Sequence, residues 1–367
     1  MNGTVNNEVG QLLADLAKVL PGHGRVLIIP HDYPDPDALA SAAALQLLLK
    51  ERWHLHTRIV FSGVVSRAEN RELLRHFKSK WIFPQQWRGA RHNVPAIFVD
   101  SAPWIGNVTI PPYALPVAVF DHHQHGKRKI PDTIFADISP GFGALSTRLV
   151  ECLAVAGIPI PKWLASIMAY AIASETLDFS RHASTRDLEA YTSLLSRCNL
   201  KILGQIKNAA LPRAYYGYLV EAVRNTLTYG RVSWTNLSTV SQPEIVAEIA
   251  DLLLRMERIT WAFCTAFTEN RLMISLRSEL SYVSCARVLR SAIRKQEGSA
   301  GGHGQTAAGF MDVTGLPEAE REQQRELLVS RLILAIEGRA METAKPLVNT
   351  PPEKAGPAPE TGAANPK

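Results

Sequence analysis

The chain has few cysteines, no long apolar run and no leader-like start. The four cysteines of this 367-residue chain stand far apart, at Cys152, Cys198, Cys264 and Cys285. Such spacing argues against a disulfide framework or a zinc knuckle and for a reducing compartment. The longest apolar stretches, near residues 38–49 and 163–173, are too short to span a bilayer. The polar first ten residues lack the pattern of a signal peptide. We therefore expect a cytoplasmic protein with no membrane partner.

The charge balance is only mildly basic. A net charge of +6 and a pI near 9.1 fit an anionic substrate, but they do not by themselves indicate nucleic-acid binding. No stripe of interleaved aromatic and basic residues is present, so we expect neither processive digestion of long single strands nor a long duplex as partner. The length allows two domains, each with its own core.

Apolar runs alternate with helical patterns through the first half of the chain. Strands are predicted at 26–29, 58–61, 97–99 and 117–120, and helices at 9–20, 38–51, 68–77, 143–156 and 162–174. Continuous apolar strands separated by helices are typical of a parallel sheet covered on both faces. The sequence thus predicts an α/β fold with a first domain at residues 1–195.

The second half begins with a wholly helical stretch, of which we assign 196–228 to a connector. Strands are predicted at 232–237, 260–267 and 272–277, and helices at 243–256, 284–295 and 318–337, with a Gly/Ser-rich loop at 298–309. These elements predict a smaller α/β domain at 229–339. Residues 340–367, rich in Pro, Ala and Thr, are predicted to form a disordered tail.

Metal-binding side chains follow three of the predicted strands. His31, Asp35 and Asp37 lie in HDYPDPD after the first strand, Asp100 follows another, and DHH at 121–123 a third. Each has an ordinary interpretation alone: a helix cap with a turn, a strand-end cap, or surface histidines. Ligands gather at the carboxyl ends of parallel strands, and carboxylates with imidazole suit Mn²⁺ or Mg²⁺. Three such strand ends together favour a metal centre, and paired ions commonly cleave phosphoesters.

The first of these loops contains two prolines. Pro34 and Pro36 should bias Tyr33 and Asp35 toward extended conformations. The helix predicted to begin near Ala38 would favour negative charge at its N-terminus.

The segments HDYPDPDALAS, FVDS, FDHHQHG and AGGHGQTAAG resemble the successive motifs of DHH phosphoesterases that carry a DHH-associated C-terminal domain. This group includes RecJ-like exonucleases and nanoRNase/pAp phosphatases. The resemblance runs from about residue 24 to residue 314. It implies a parallel-sheet N-terminal DHH domain, a helical connector and a smaller substrate-binding α/β domain, with the active cleft between the domains.

The resemblance also implies a ligand set for two Mn²⁺ ions, with Mg²⁺ as the alternative. His31 and Asp35 would bind one ion, Asp37 and His122 the other, and Asp100 would bridge both. The implied catalytic residues are Asp100, Asp121, His122 and His123, of which His123 would contact substrate phosphate and Asp121 would orient its neighbours.

One ligand departs from the pattern of the family. In YAIASETLDFSR, Glu175 stands where the family commonly has an aspartate ligand. Glutamate can coordinate the same ions, but its extra methylene moves the oxygens by about one bond. Asp178 is a second candidate for this position.

Several residues are implied as substrate contacts, each with a simpler alternative. Arg67 and Asn70 could instead belong to an ordinary helix start, Arg181 could be solvated, and Arg277 could form a strand-end salt bridge. The glycine-rich loop contributes Gly301, Gly302 and His303, whose backbone N–H groups and imidazole could approach an anion.

The resemblance implies a phosphoesterase acting in RNA degradation. Its substrates would be short oligoribonucleotides, linear dinucleotides or 3′-phosphoadenosine 5′-phosphate, with a mononucleotide as product. Analogy with the family also suggests a homodimer. Two alternatives stay open: a nucleotide-binding regulatory protein with weakened catalysis, which Glu175 favours, and a manganese pyrophosphatase-like hydrolase.

Overall fold

The computed structural model describes residues 3–348 except 64, 66, 90–91, 124 and 126–129, and of residue 303 it describes the backbone only. The chain forms two compact units, Met1–Ala210 and Leu211–Lys367. Among the described residues, no helix combines the length and the apolar character needed to cross a membrane.

The first unit contains six strands and seven α-helices in its described part. The strands are β1 (Arg25–Pro30), β2 (His56–Val60), β3 (Trp81–Ile82), β4 (Val94–Val99), β5 (Ala114–Asp121) and β6 (Phe135–Ile138). The helices are α1 (Gly3–Val19), α2 (Pro36–Trp53), α3 (Ala68–His76), α4 (Leu145–Val155), α5 (Lys162–Glu175), α6 (Thr185–Leu195) and α7 (Leu200–Lys207). A short 3₁₀ turn spans Pro84–Gln86.

The six strands form one parallel sheet in the order β3-β2-β1-β4-β5-β6. The strand order reverses direction between β1 and β4, which makes the gap beyond their carboxyl ends a switch point where ligands bind in such sheets. The central strands are almost wholly buried because helices cover the sheet, as their continuous apolar sequences predicted.

Helix α2 begins directly beside this switch point. Its first two turns are rich in alanine and fully buried, so α4 and α5 can pack closely against it. Asp35 caps the helix: its Oδ1 accepts a hydrogen bond from the N–H of Ala38 at 2.9 Å. The ordinary interpretation of the Asp-Pro-Asp segment as a helix cap is therefore correct, and it places Asp35 and Asp37 on a rigid element.

The second unit is built on a seven-stranded sheet. Its strands are β7 (Leu227–Tyr229), β8 (Val232–Thr239), β9 (Trp261–Phe267), β10 (Arg271–Ser278), β11 (Gly298–His303), β12 (Thr306–Asp312) and β13 (Lys345–Pro346). Its helices are α8 (Arg213–Asn225), α9 (Glu244–Leu254), α10 (Cys285–Ala292) and α11 (Glu318–Glu337). The sheet order is β11-β12-β10-β9-β8-β7-β13, antiparallel except for the β8–β9 pair. The predicted fold class, with a parallel N-terminal sheet and a second, smaller α/β domain, is confirmed.

The structure gives detail at three of the predicted segments. Of the helices at the predicted connector, α7 belongs to the first unit and α8 to the second. The glycine-rich loop is a β-hairpin, in which Gly302 faces Ala307 across the strand pair. Within the predicted tail, Lys345 pairs with Thr228, while residues 349–367 lie outside the described residues.

Candidate metal centre

Three adjacent strands deliver the candidate ligands to one edge of the sheet. His31 follows β1, Asp100 follows β4, and β5 ends at Asp121, immediately before His122. Since β1 pairs with β4 and β4 with β5 in parallel, their carboxyl ends lie side by side. The topology thus brings together residues that are far apart in the sequence.

Asp100 is the centre of this arrangement. It is only 2% exposed, and its oxygens lie 3.7 Å from His31 Nε2, 3.4 Å from His122 Nε2 and 3.3 Å from His123 Nδ1. Its φ of 56° is left-handed, a conformation that Asp adopts more readily than most residues. The N–H of Asp100 donates to the carbonyl of Phe120 at 2.8 Å, which fixes the turn after β4.

Two overlapping groups of side chains have the chemistry and spacing of metal ligands. One is His31, Asp35 and Asp100, and the other is Asp100, His122 and His123; within each, the candidate ligand atoms all lie within 4.8 Å of one another. Asp100 belongs to both groups. Imidazole nitrogens and carboxylate oxygens are the donor set that suits Mn²⁺ and related divalent ions.

Two buried atoms in this centre have no hydrogen-bond partner in the described part of the protein. They are Asp100 Oδ1 and His122 Nε2, which face each other at 3.4 Å. Unsatisfied buried polar atoms are rare and point to an ion or a function. The donor set and these two orphaned atoms fit a divalent metal ion.

Asp37 reaches the centre from the first turn of α2. Its Oδ2 lies 3.9 Å from His122 Nε2, and its two oxygens accept hydrogen bonds from the N–H groups of Leu145 and Ser146 at 2.6 and 2.8 Å. These N–H groups form the N-terminus of α4, whose dipole favours the carboxylate charge. Asp37 therefore lies between an imidazole and a helix N-terminus.

The loop that carries His31 is anchored on both sides. Asp32 accepts hydrogen bonds from the N–H and hydroxyl of Thr109 at 3.0 and 2.6 Å. Tyr33, expected to be extended, is instead left-handed with φ 54°. Its N–H donates to Ser62 at 2.9 Å, and its ring lies against Gly63, where a Cβ would come within 2.7 Å of the ring. These tertiary contacts outweigh the preference set by the following proline.

The imidazole of His122 is oriented by a second loop. Its Nδ1 lies 3.3 Å from the carbonyl oxygen of Phe142, which leaves Nε2 facing Asp100. The N–H of Gly143 donates to the fully buried Asp187 at 2.8 Å. Because a Cβ on Gly143 would lie 2.5 Å from Thr176, only glycine fits this position without a shift.

Sequence reasoning missed His125, which contacts Asp121, and Trp104, which contacts His125. His125 Nε2 lies 2.7 Å from Asp121 Oδ2, and the indole N–H of Trp104 donates to His125 Nδ1 at 3.2 Å. The other oxygen of Asp121, Oδ1, bonds the backbone N–H and ring Nδ1 of His123 at 3.0 and 2.8 Å. A histidine four residues after Asp121 in FDHHQHG was the available signal for His125; nothing in the sequence singled out Trp104.

The carboxylates and imidazoles shift each other's pKa values strongly. Burial lowers the pKa of His31, but Asp35 and Asp100 outweigh it and raise the value to about 10. In His122 burial is likewise outweighed, mainly by Asp100, which raises the pKa to about 9. Burial raises the pKa of Asp100, yet the contacts with His122 and His123 bring it well below its usual value. The cluster thus holds Asp100 ionised among protonated imidazoles.

Glu175 ends α5 and lies within the electrostatic influence of the centre. Burial, followed by the charges of Asp35, Asp37 and Asp100, raises its pKa to about 7. Asp178, considered as a substitute ligand, has a side chain that is 78% exposed and pairs with Lys207 at 3.3 Å. Of the two candidates, the structure thus associates Glu175 with the cluster.

The predicted substrate contacts of the first unit lie near its helix ends. Arg67 precedes α3 as its N-cap residue, and Asn70 is buried in the first turn of that helix. Arg181 Nη2 donates to the carbonyl of Glu175 at 3.3 Å, which ties the segment after α5 to the helix end.

The predicted substrate contacts of the second unit have local structural roles. Arg277 forms a salt bridge with Asp251 at 2.5 Å and donates to Ser275 Oγ at 2.7 Å, so the salt bridge named as its alternative role is present. Gly301 and Gly302 lie in the edge strand β11. Gly302 has φ 139°, and a Cβ there would lie 2.3 Å from the carbonyl oxygen of Thr306. The side chain of His303 lies outside the described part of the structure.

Comparison with known proteins gives relatives by sequence. No family model matches the chain. An uncharacterized protein of Methanocaldococcus jannaschii is 28% identical over 306 residues, which are 83% of this chain and 61% of that protein. A probable manganese-dependent inorganic pyrophosphatase of Streptococcus agalactiae is 24% identical over 183 residues, 49% of this chain and 58% of that protein. The chain spans about three-fifths of the length of these curated relatives.

Comparison of structures gives a relative by fold. The crystal structure of an exopolyphosphatase-related protein from Bacteroides fragilis has a TM-score of 0.69 to this chain at 14% identity, and covers 89% of this chain and 98% of its own. Identity this low shows the fold alone. The motifs that follow β1, β4 and β5 therefore stand on a fold that this chain shares with the exopolyphosphatase-related protein.

Proposed function

We propose that the protein is a two-metal phosphoesterase that hydrolyses small nucleotide phosphoesters. The observation that carries this proposal is the sharing of Asp100 between two groups of candidate metal ligands. A carboxylate with two oxygens can contact two neighbouring ions, which is the arrangement used for in-line displacement at phosphorus. Substrates would be short oligoribonucleotides, linear dinucleotides or 3′-phosphoadenosine 5′-phosphate.

The ligand roles are those that the resemblance implies; the spacing of His31, Asp35 and Asp100 and the 3.9 Å between Asp37 and His122 support them. His31 and Asp35 would hold one ion with Asp100, and Asp37 and His122 would hold the other. Bound Mn²⁺ or Mg²⁺ supplies activation of a water and neutralisation of phosphate charge.

His123 would contact the substrate phosphate. Its side chain is 32% exposed against 8% for His122, so it is the more accessible of the two imidazoles. Burial opposes its charge, but Asp100 and Asp121 raise its pKa to about 11, which suits an imidazolium that donates to an anion. Arg67, Asn70 and Arg181 are further proposed contacts of the first unit, and Arg277 with the β11–β12 hairpin of the second. The four free cysteines support a reducing, cytoplasmic setting.

A second candidate is a pyrophosphatase-like activity. The similarity to a probable manganese-dependent inorganic pyrophosphatase over 183 residues favours it. The first candidate is preferred because a separate sheet domain with a glycine-rich hairpin offers surface for recognising a base, which pyrophosphate lacks.

One hydrolysis panel distinguishes these candidates and the regulatory alternative. The full chain is incubated with linear dinucleotides, 3′-phosphoadenosine 5′-phosphate, cyclic dinucleotides and pyrophosphate, each with Mn²⁺, Mg²⁺ or a chelator. We expect mononucleotide release that requires the ion. Release of phosphate from pyrophosphate alone supports the second candidate, and tight nucleotide binding without turnover supports a regulatory protein.

A further inference from the structure

We infer that Trp104 and His125 are positioning residues. Their hydrogen bonds fix which nitrogen of His125 donates to Asp121, and through Asp121 they orient His123. The inference rests on the proposed function for the role of His123 at the substrate phosphate. Four side chains form the chain of contacts: Trp104, His125, Asp121 and His123. Each contact is 3.2 Å or shorter.

The indole of Trp104 determines which atoms donate in this series of hydrogen bonds. An indole N–H can only donate, so the nitrogen that it meets must carry a lone pair. Trp104 Nε1 lies 3.2 Å from His125 Nδ1. Protonation of that nitrogen would place two N–H donors against each other, so His125 must carry its proton on Nε2.

The proton on His125 Nε2 then faces a carboxylate. Nε2 lies 2.7 Å from Asp121 Oδ2, within the range of a strong hydrogen bond to a charged acceptor. Asp121 is 1% exposed, and each of its oxygens lies within 2.8 Å of a histidine nitrogen. His125 therefore donates to Asp121.

Asp121 transmits the orientation to His123 through its second oxygen. Oδ1 accepts from the backbone N–H of His123 and faces its ring Nδ1 at 2.8 Å. A carboxylate that accepts at both oxygens cannot rotate without losing one of these bonds. It thus holds an N–H of His123 at Nδ1 and fixes the orientation of the ring.

Packing is the competing explanation for Trp104. Its ring meets the His125 ring edge to face, with centroids 5.8 Å apart and an interplanar angle of 77°. Phenylalanine can keep such a contact but has no N–H, so Trp104→Phe removes the donor and retains an aromatic ring. Glutamine at position 125 can donate an amide N–H to Asp121 whether residue 104 is tryptophan or phenylalanine.

A double-mutant cycle with the metal-loaded full chain separates the two explanations. The substrate is the dinucleotide turned over by the wild type. Changes around metal-site histidines typically reduce activity about 10–100-fold. We expect Trp104→Phe to lower kcat about tenfold with little change in KM when residue 125 is histidine, and less than about twofold in the His125→Gln background. An equal loss in both backgrounds, or no loss in either, overturns the inference.

Nitrogen-15 NMR of histidine-labelled, Mg²⁺-loaded protein tests the tautomer directly. The His125→Gln spectrum identifies the His125 signals by their absence. We expect a proton on Nε2 of His125 in the wild type and a mixture of tautomers in Trp104→Phe; a proton on Nδ1 in the wild type overturns the inference. Trp163→Phe is the control, since Trp163 lies about 18 Å along α5 from Glu175. If no substrate is turned over, the proposed function fails, while the NMR result still decides the inference.

Discussion

Substitution of Asp100 by asparagine is the most direct test of the metal centre. Asparagine has nearly the same shape and also tolerates the left-handed φ of 56° at this position. The change therefore keeps the turn after β4 but removes the negative charge. His31, His122 and His123 all lose the carboxylate that lies 3.3 to 3.7 Å from them.

The magnitude follows from the burial of this charge. Removing one partner from a buried, paired set of charges typically costs about 3–5 kcal/mol. Since about 1.4 kcal/mol corresponds to a factor of ten, Mn²⁺ affinity should fall about 10²- to 10⁴-fold. Activity limited by the bound ions should fall at least as far.

Isothermal titration with Mn²⁺ measures the affinity, and dinucleotide hydrolysis measures the activity. Asp178→Asn is the matched control, because Asp178 also has a left-handed φ, of 50°. Its side chain is exposed, and in the described part of the protein it pairs with Lys207 at 3.3 Å. Exposed pairs contribute about 0–1 kcal/mol, so this variant should change affinity less than about fivefold. A variant Asp100→Asn that binds Mn²⁺ within tenfold of the wild type would refute a shared ligand at this position.

Three further predictions address protons, Glu175 and the hairpin. At pH 7 the pKa values of about 10 for His31 and about 9 for His122 keep both imidazoles protonated without metal. Mn²⁺ binding should therefore release protons, and its affinity should rise with pH up to about 10. Titrations in buffers of different ionisation enthalpy measure the release, and an affinity that falls with pH contradicts it. Glu175→Gln removes a charge close to the cluster and should weaken Mn²⁺ binding about tenfold. The same titration measures this change. An unchanged affinity would place Glu175 outside the site. Gly302→Ala should lower the melting temperature of the second unit, because its Cβ would lie 2.3 Å from the carbonyl oxygen of Thr306. Gly301→Ala, with no atom within 4 Å of its Cβ, should leave the melting temperature nearly unchanged. Equal melting temperatures for the two variants would show that the hairpin adapts.

The parallel sheet could be predicted because its strands are buried on both faces and therefore read as continuous apolar runs. The strand-end positions of His31, Asp100 and Asp121 then followed from the common direction of the strands. The hairpin of β11 and β12 could not be predicted in this way. Its glycines are typical of loops, and only the cross-strand approach of Gly302 to Thr306 explains why glycine is needed inside a strand.

Contacts between segments that are far apart in the sequence could not be predicted either. Asp37 accepts from Leu145 and Ser146, more than a hundred residues later in the chain. Trp104 reaches His125 through a side-chain contact that no spacing rule predicts. Residues of this kind can be identified only from the structure, where they lie next to a side chain that a sequence motif had already indicated.

The shifted pKa values describe how charge is balanced within this cluster of carboxylates and imidazoles. Burial and neighbouring charges raise the pKa of Asp37 to about 6 and that of Glu175 to about 7, while His31 and His122 retain their protons. Imidazolium charges therefore balance Asp100 in the absence of cations. In the proposed function, divalent ions would replace these protons, because a histidine ligand must be neutral. We therefore expect metal affinity to be a competition with protons in which Asp100 favours both the protonated imidazoles and the bound ions.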